Sequence, residues 1–128
     1  MKLADYFEST KGVGVLATAD KDGRVDAAVY ARPHFMDEET VAFIMRDRLT
    51  HHNLTSNPHA TYLFLEEGKH YAGTRLFLTK QREETETELL YKLRRRKYRS
   101  DEDGDRDPKH LVFFIIDKQL PLVNRNES

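Results

Sequence analysis

The chain has no cysteine. Disulfides, iron–sulfur clusters and thiolate zinc sites are therefore excluded. It also has no apolar run approaching the roughly 20 residues of a membrane span. Met1–Glu8 lacks the apolar core of a secretory signal, so the expected location is the cytoplasm. Neither sign of charge dominates. The formal net charge is −1, which argues against general nucleic-acid or membrane binding. There is no alternation of strands and helices of the βαβ kind, which speaks against a Rossmann fold, and no internal repeat. No nucleophile elbow or triad spacing is present. Carboxylates are abundant but fall on expected turns and helix faces, so no general acid–base pair stands out and the catalytic residues stay unassigned. Hydrophobic residues are scarce as well. They make up 38% of the chain against 34% charged, where an average domain is about 25% charged. At 128 residues the chain reads as one domain, residues 1–128, with a real but lean core. A partner subunit would complete its apolar surface.

What is present is a series of short apolar runs separated by turns. Residues 2–10 read as an amphipathic helix with Leu3, Tyr6 and Phe7 on one side, broken by Gly12 and Gly14. Val13–Ala19 reads as a buried strand, Asp20–Gly23 as a hairpin turn with Gly23 at the positive-φ position, and Arg24–Arg32 as the returning strand. Pro33 marks a strand edge or end. Met36–Thr40 is a second turn, Val41–Met45 a third strand, and residues 49–56 a short helix stopped by Asn57-Pro58. Ala60–Glu66 and His70–Lys80 read as the fourth and fifth strands around a turn at Glu67-Gly68-Lys69. In the fifth, Gly73, Arg75 and Phe77 share one face and Thr74, Leu76 and Leu78 the other. Glu83–Tyr98 reads as a helix with a Leu89, Leu90, Leu93 stripe, acids first and bases last. A polar mobile loop is expected around 94–108, a sixth strand at Leu111–Ile116, and a frayed tail from 124 to 128. Hairpin-linked strands with a few short helices indicate a mainly β, six-stranded antiparallel barrel.

The stretch from Val41 to Pro58 carries the clearest chemistry. An apolar strand runs into Arg46-Asp47-Arg48-Leu49-Thr50-His51-His52 and then into a helix start. A phosphate monoester needs such an arrangement. Guanidinium groups supply charge and paired donors, and a hydroxyl and the free amides of the helix start supply the rest. The plain alternative is a solvated turn with a helix cap. His51 and His52 either reach that site or are ordinary surface histidines. As a metal pair they are poor, because adjacent helix residues do not face each other and no third ligand is at hand, so no metal is expected. Lys92–Arg99 is a basic run answered by the acidic Asp101–Asp105, which reads as a solvated helix end rather than a nucleic-acid patch.

The order of these pieces resembles the FMN-binding split-barrel family, which includes pyridoxamine 5′-phosphate oxidase and its relatives. The resemblance begins at Gly14–Val25, similar to an "ATxDxDGxP" hairpin with Val25 in place of proline. It continues through Tyr30-Ala31-Arg32-Pro33-His34 and is strongest from Arg46 to Pro58, where relatives show a basic and hydroxyl pair followed by "NLxxNP". Gly73-Thr74-Arg75-Leu76-Phe77 looks like a later strand near the flavin of the partner subunit. The Arg94–Arg106 region departs from the pattern. No convincing full set of the substrate-phosphate residues of true pyridoxamine 5′-phosphate oxidases is found, which tells against vitamin B6 chemistry.

The resemblance implies a split β-barrel with short flanking helices, working as a homodimer with FMN at the interface. It implies that Arg48 and Thr50, helped by Arg46 and flanked by Leu49 and His51, hold the FMN phosphate. Tyr30, Ala31 and Arg32 would run past the isoalloxazine ring, with Arg32 near its N1–O2 edge. Arg75 would point to the cleft, or simply reach solvent at a barrel rim. The implied function is a flavin-dependent oxidoreductase on a small molecule. The alternatives are a flavin-binding electron carrier without turnover and a cofactor-free interaction module. The residues do not separate FMN from a related deazaflavin, although the compact phosphate site and the family favour FMN, and for haem only His34 and His70 offer themselves.

Overall fold

The Asp20–Gly23 turn shows how local chemistry starts the sheet. The Asp20 Oδ1 accepts hydrogen bonds from the amides of Asp22 and Arg24, each at 2.9 Å, and Gly23 takes a φ of 84° that favours glycine. The turn sets β1 (Gly12–Ala19) against β2 (Val25–Tyr30), with Ala19 opposite Val25. The same amides, that of Arg24 first, hold the Asp20 carboxyl below the usual carboxylate range. A depressed folded-state pKa stabilises above the unfolded value of about 3.9 and is lost as pH falls through the folded value. Asp20→Asn should therefore flatten the acid limb of the stability profile below about pH 4, measured by urea titration. An unchanged slope would mean the carboxylate is not anchored.

The computed structural model describes residues 2–68, 70–97 and 108–123. Most of the expected 94–108 loop, the end of the basic run, Lys69 of the expected turn and the 124–128 tail lie outside the described residues. The remaining elements are α1 (Leu3–Ser9), β3 (His34–Phe35), β4 (Thr40–Arg46), α2 (Leu49–Ser56), β5 (His59–Glu66), β6 (Gly73–Thr85), α3 (Glu88–Lys97) and β7 (Lys109–Pro121). No helix among the described residues is long and apolar enough to cross a membrane.

All strand pairs are antiparallel, in the order β2-β1-β5-β6-β7-β4-β3. The two outermost strands are consecutive in sequence. From Tyr30 to His34 the chain can reach no more than about 14 Å, so the sheet must curl until its edges nearly meet. The result is a split β-barrel, 53% strand. Its inward face buries Leu16, Val41, Phe43, Met45, Tyr62, Phe64, Leu76 and Phe114. The outward face of β4 and β7 carries a second cluster, in which Ala42, Leu111 and Phe113 pack against Leu90 and Leu93 of α3. The leucine stripe expected from the sequence is thus the docking face of α3.

Four elements differ from the sequence expectation. There are seven strands rather than six, because the two-residue β3 is too short to show a periodicity. The fifth strand begins at Gly73 instead of His70 and continues to Thr85, so α3 starts at Glu88 and not at Glu83. Residues 80–85 carry helix-like acids, yet they pair with Phe114 to His110 of β7 after two register shifts. Glu86, at φ 53°, then breaks the strand, and the Leu90 amide donates to the Thr87 hydroxyl at 3.4 Å to cap the helix. Arg94–Lys97 finish α3 rather than opening a loop. Finally, β7 runs to Pro121 because its ladder with β6 continues there after the pairing with β4 ends at Ile115.

Candidate functional site

The sequence places α2 where expected, and its packing decides what its side chains face. Asn53 donates to the Thr18 hydroxyl at 3.0 Å and Asn57 to the Asp20 carbonyl at 3.3 Å, which pins the helix across the ends of β1 and β2. Arg48 is the N-cap in extended conformation, and its side chain makes no cap bond to the first amides of α2. Arg46, Arg48 and Leu49 are exposed at this corner. Thr50 is buried, and its hydroxyl donates to Asp26 Oδ2 at 3.4 Å. A carboxylate therefore sits beside the hydroxyl expected to meet a phosphate, a neighbour the sequence did not reveal.

Tyr30, Ala31 and Arg32 come together at the split, lining one cleft of about 790 Å³ with Phe7, Gly14 and His34. The Tyr30 ring stands edge-on to Phe43 at 6.0 Å. The Ala31 carbonyl accepts the buried Tyr62 hydroxyl at 3.2 Å. That same hydroxyl explains Gly14, where a Cβ would stand 1.8 Å from it. Arg32 Nη1 donates to the carbonyls of Phe7 and Thr10, at 2.8 and 3.0 Å, and so ties the end of α1 across the split. Part of its guanidinium is thus committed to the fold. Arg32→Ala should lower the stability of the protein without any ligand by roughly 1–3 kcal/mol, measured by chemical denaturation. A change seen only with flavin present would mean that Arg32 serves the ligand alone.

Arg75 lies on the outward face of β6, between Leu63 of β5 and Leu120 of β7. Its Nε donates to the Pro121 carbonyl at 3.0 Å, while its Nη2 is buried with no hydrogen-bond partner among the described residues. The surrounding face is apolar and open: Val13, Val29, Leu63 and Leu65 are all exposed.

His51 turns the other way. It is buried, whereas His52 is exposed, so the two do not face each other, in line with expectation. His51 stacks on His110 of β7, with ring centroids 3.8 Å apart and planes within 4°. Asp47 flanks one edge of the stack and Glu83 the other. Burial pushes the Glu83 carboxyl up, but hydrogen bonds from Lys80 and His51 outweigh it and hold the group below the usual range. Sequence reasoning missed His110 and Glu83. The first lies one residue before the expected strand start at Leu111, and the second was assigned to a helix.

The fold has solved counterparts of known cofactor chemistry. An FMN-binding protein from Syntrophomonas wolfei subsp. wolfei is 20% identical, with 96% of this chain and 85% of that one covered at a TM-score of 0.77. An F420 reductase is 14% identical, with 94% and 98% covered at 0.73. HutZ, the haem storage protein from Vibrio cholerae, is 17% identical, with 93% and 89% covered at 0.67. At these identities the likeness shows the fold. No curated protein matches the sequence. The family model described as pyridoxamine 5′-phosphate oxidase matches residues 2–116, and with that span covered the chain belongs to the pyridoxamine 5′-phosphate oxidase family.

Proposed function

We propose that this family member binds FMN noncovalently, with the phosphate at the start of α2 and the isoalloxazine at the cleft formed by Tyr30, Ala31 and Arg32. The observation that carries the reading is that the start of α2 and the cleft lie at opposite ends of β2. Asp26, beside Thr50, and Tyr30, at the cleft, are four residues apart on that strand, about 13 Å, a span suited to the ribityl chain between phosphate and ring. Because Asp26 occupies the Thr50 hydroxyl, phosphate recognition falls first on Arg48 and Arg46. Leu49 and the small side chains of Ala28 and Ala31 leave room for close approach, and Arg32 would add positive charge at the ring edge.

The working form is a homodimer. The exposed apolar face of β1, β2 and β5 supports this, and so does the buried, unsatisfied Nη2 of Arg75, which a flavin or a second subunit would supply with an acceptor. Bound flavin supplies hydride or electron transfer between a reduced donor and a small acceptor. The chain contributes binding, orientation and exclusion of water.

Quenching of flavin fluorescence on titration tests the binding, with FMN expected to bind more tightly than riboflavin. Oxidation of NAD(P)H by the FMN-loaded protein, under air and under argon, tests turnover. Tight FMN binding with no oxidation of either donor would point to an electron carrier. No flavin binding would overturn the proposal.

A further inference from the structure

We propose that Asp47, His51 and His110 form a binding site for a divalent metal ion of the zinc type. One ligand atom from each lies within 4.8 Å of the others. The residues come from three places: the connection between β4 and α2, the first turn of α2, and the start of β7. His51 and His110 are each only 8% exposed.

The outer hydrogen bonds set which nitrogen of each ring carries the proton. His51 Nε2 lies 3.0 Å from Glu83 Oε2, which as a carboxylate can only accept. The proton of a neutral His51 therefore sits on Nε2, and Nδ1 presents its lone pair to Asp47 Oδ1 at 3.5 Å. His110 Nδ1 lies 2.9 Å from the Thr85 hydroxyl and 3.5 Å from Glu83 Oε2, so a neutral ring with its proton on Nδ1 has acceptors on that side. His110 Nε2 is then a bare lone pair. It is buried with no hydrogen-bond partner among the described residues, 3.8 Å from the same Asp47 oxygen. With both rings neutral, two lone pairs and a carboxylate oxygen converge on one point. Histidines that hand their outer N–H to a carboxylate while aiming the other nitrogen inward are prepared metal ligands.

Four-coordinate zinc with bonds of about 2.0–2.1 Å sets its ligand atoms about 3.3–3.4 Å apart. The 3.5 and 3.8 Å separations from Asp47 are close to that. Binding would swing the two rings out of their parallel stack so that both lone pairs meet the ion. The donor set of two nitrogens and one carboxylate suits zinc or cobalt rather than calcium or magnesium. Asp47, with a side chain 59% exposed, provides the way in. The ion would clamp β4, α2 and β7 together, and it takes His51 for the metal rather than for the flavin. Nothing in this depends on FMN being the cofactor.

The test is calorimetric titration of chelator-stripped protein with Zn2+, and with Co2+ followed by its visible absorption. The expected result is one ion per chain, a melting temperature that climbs with Zn2+ concentration, and a tetrahedral Co2+ spectrum. Asp47→Asn and His110→Gln should each weaken Zn2+ at least about tenfold, and Glu83→Gln, which removes a carboxylate beside both rings but none of the three ligands, should weaken it by about 10–100-fold without changing the stoichiometry. Asp47 is exposed, so its variant keeps the test decisive if His110→Gln fails to fold. Absence of saturable binding, or binding unchanged in Asp47→Asn, would overturn the proposal.

Discussion

Phe64→Ala is expected to destabilise the protein by about 3–5 kcal/mol, the usual range for deleting a fully buried aromatic ring. Phe64 is fully buried on the inward face of β5. Its ring meets Phe7 edge-on at 5.0 Å and Tyr6 at 6.0 Å, so it is the surface on which α1 rests. The Phe64 carbonyl would also lie 1.9 Å from any Cβ at Gly73, so the backbone there has little room to collapse into the cavity. With a total stability of the order of 5–15 kcal/mol, the loss would take a large share and lower the melting temperature by about 10–20 °C. Tyr71→Ala, at a position 76% exposed, should stay within about 0.5 kcal/mol. A Phe64→Ala change of less than about 1 kcal/mol would contradict the packing of α1 on β5.

Arg48→Ala is expected to weaken FMN about ten- to hundredfold, the loss of one charge-assisted phosphate contact. Riboflavin affinity should hardly change, because riboflavin lacks the phosphate. Asp26→Asn should act in the opposite sense and tighten FMN, since it removes a negative charge beside Thr50 and frees the hydroxyl to donate elsewhere. Thr50→Ala alone should do less than Arg48→Ala. Equal losses for FMN and riboflavin in Arg48→Ala would mean that the phosphate lies elsewhere, and a weakening in Asp26→Asn would mean that the carboxylate holds the helix start in shape.

The sequence carried the local parts of this molecule well. The Asp20–Gly23 turn, the α2 helix from Leu49 to Ser56 and the leucine stripe of α3 are all set by residues within one turn of each other, and all three lie where expected. The boundary between β6 and α3 did not follow from local composition. Glu83 and Glu84 favour a helix start on charge alone, but β7 offers pairing out to His110, and ladder bonds over 80–85 win. The cluster around His51 shows the same limit more sharply. Asp47, His51, Glu83 and His110 are spread over three connected but distant segments, and only the β4–β7 and β6–β7 registers bring them together. Arg75 Nη2, buried without a partner among the described residues, was equally hidden, because the cross-strand neighbours Leu63 and Leu120 come from distant segments.

The most direct test of FMN binding is the melting temperature of the purified protein, recorded with its visible spectrum across a range of FMN concentrations. A ligand that binds only the folded chain stabilises it by about 2.7 kcal/mol at a hundred times its dissociation constant. The prediction is a bound-flavin spectrum that saturates at one FMN per chain, with a melting temperature that rises steadily as FMN is added. A colourless protein whose melting temperature ignores FMN would contradict the proposed site.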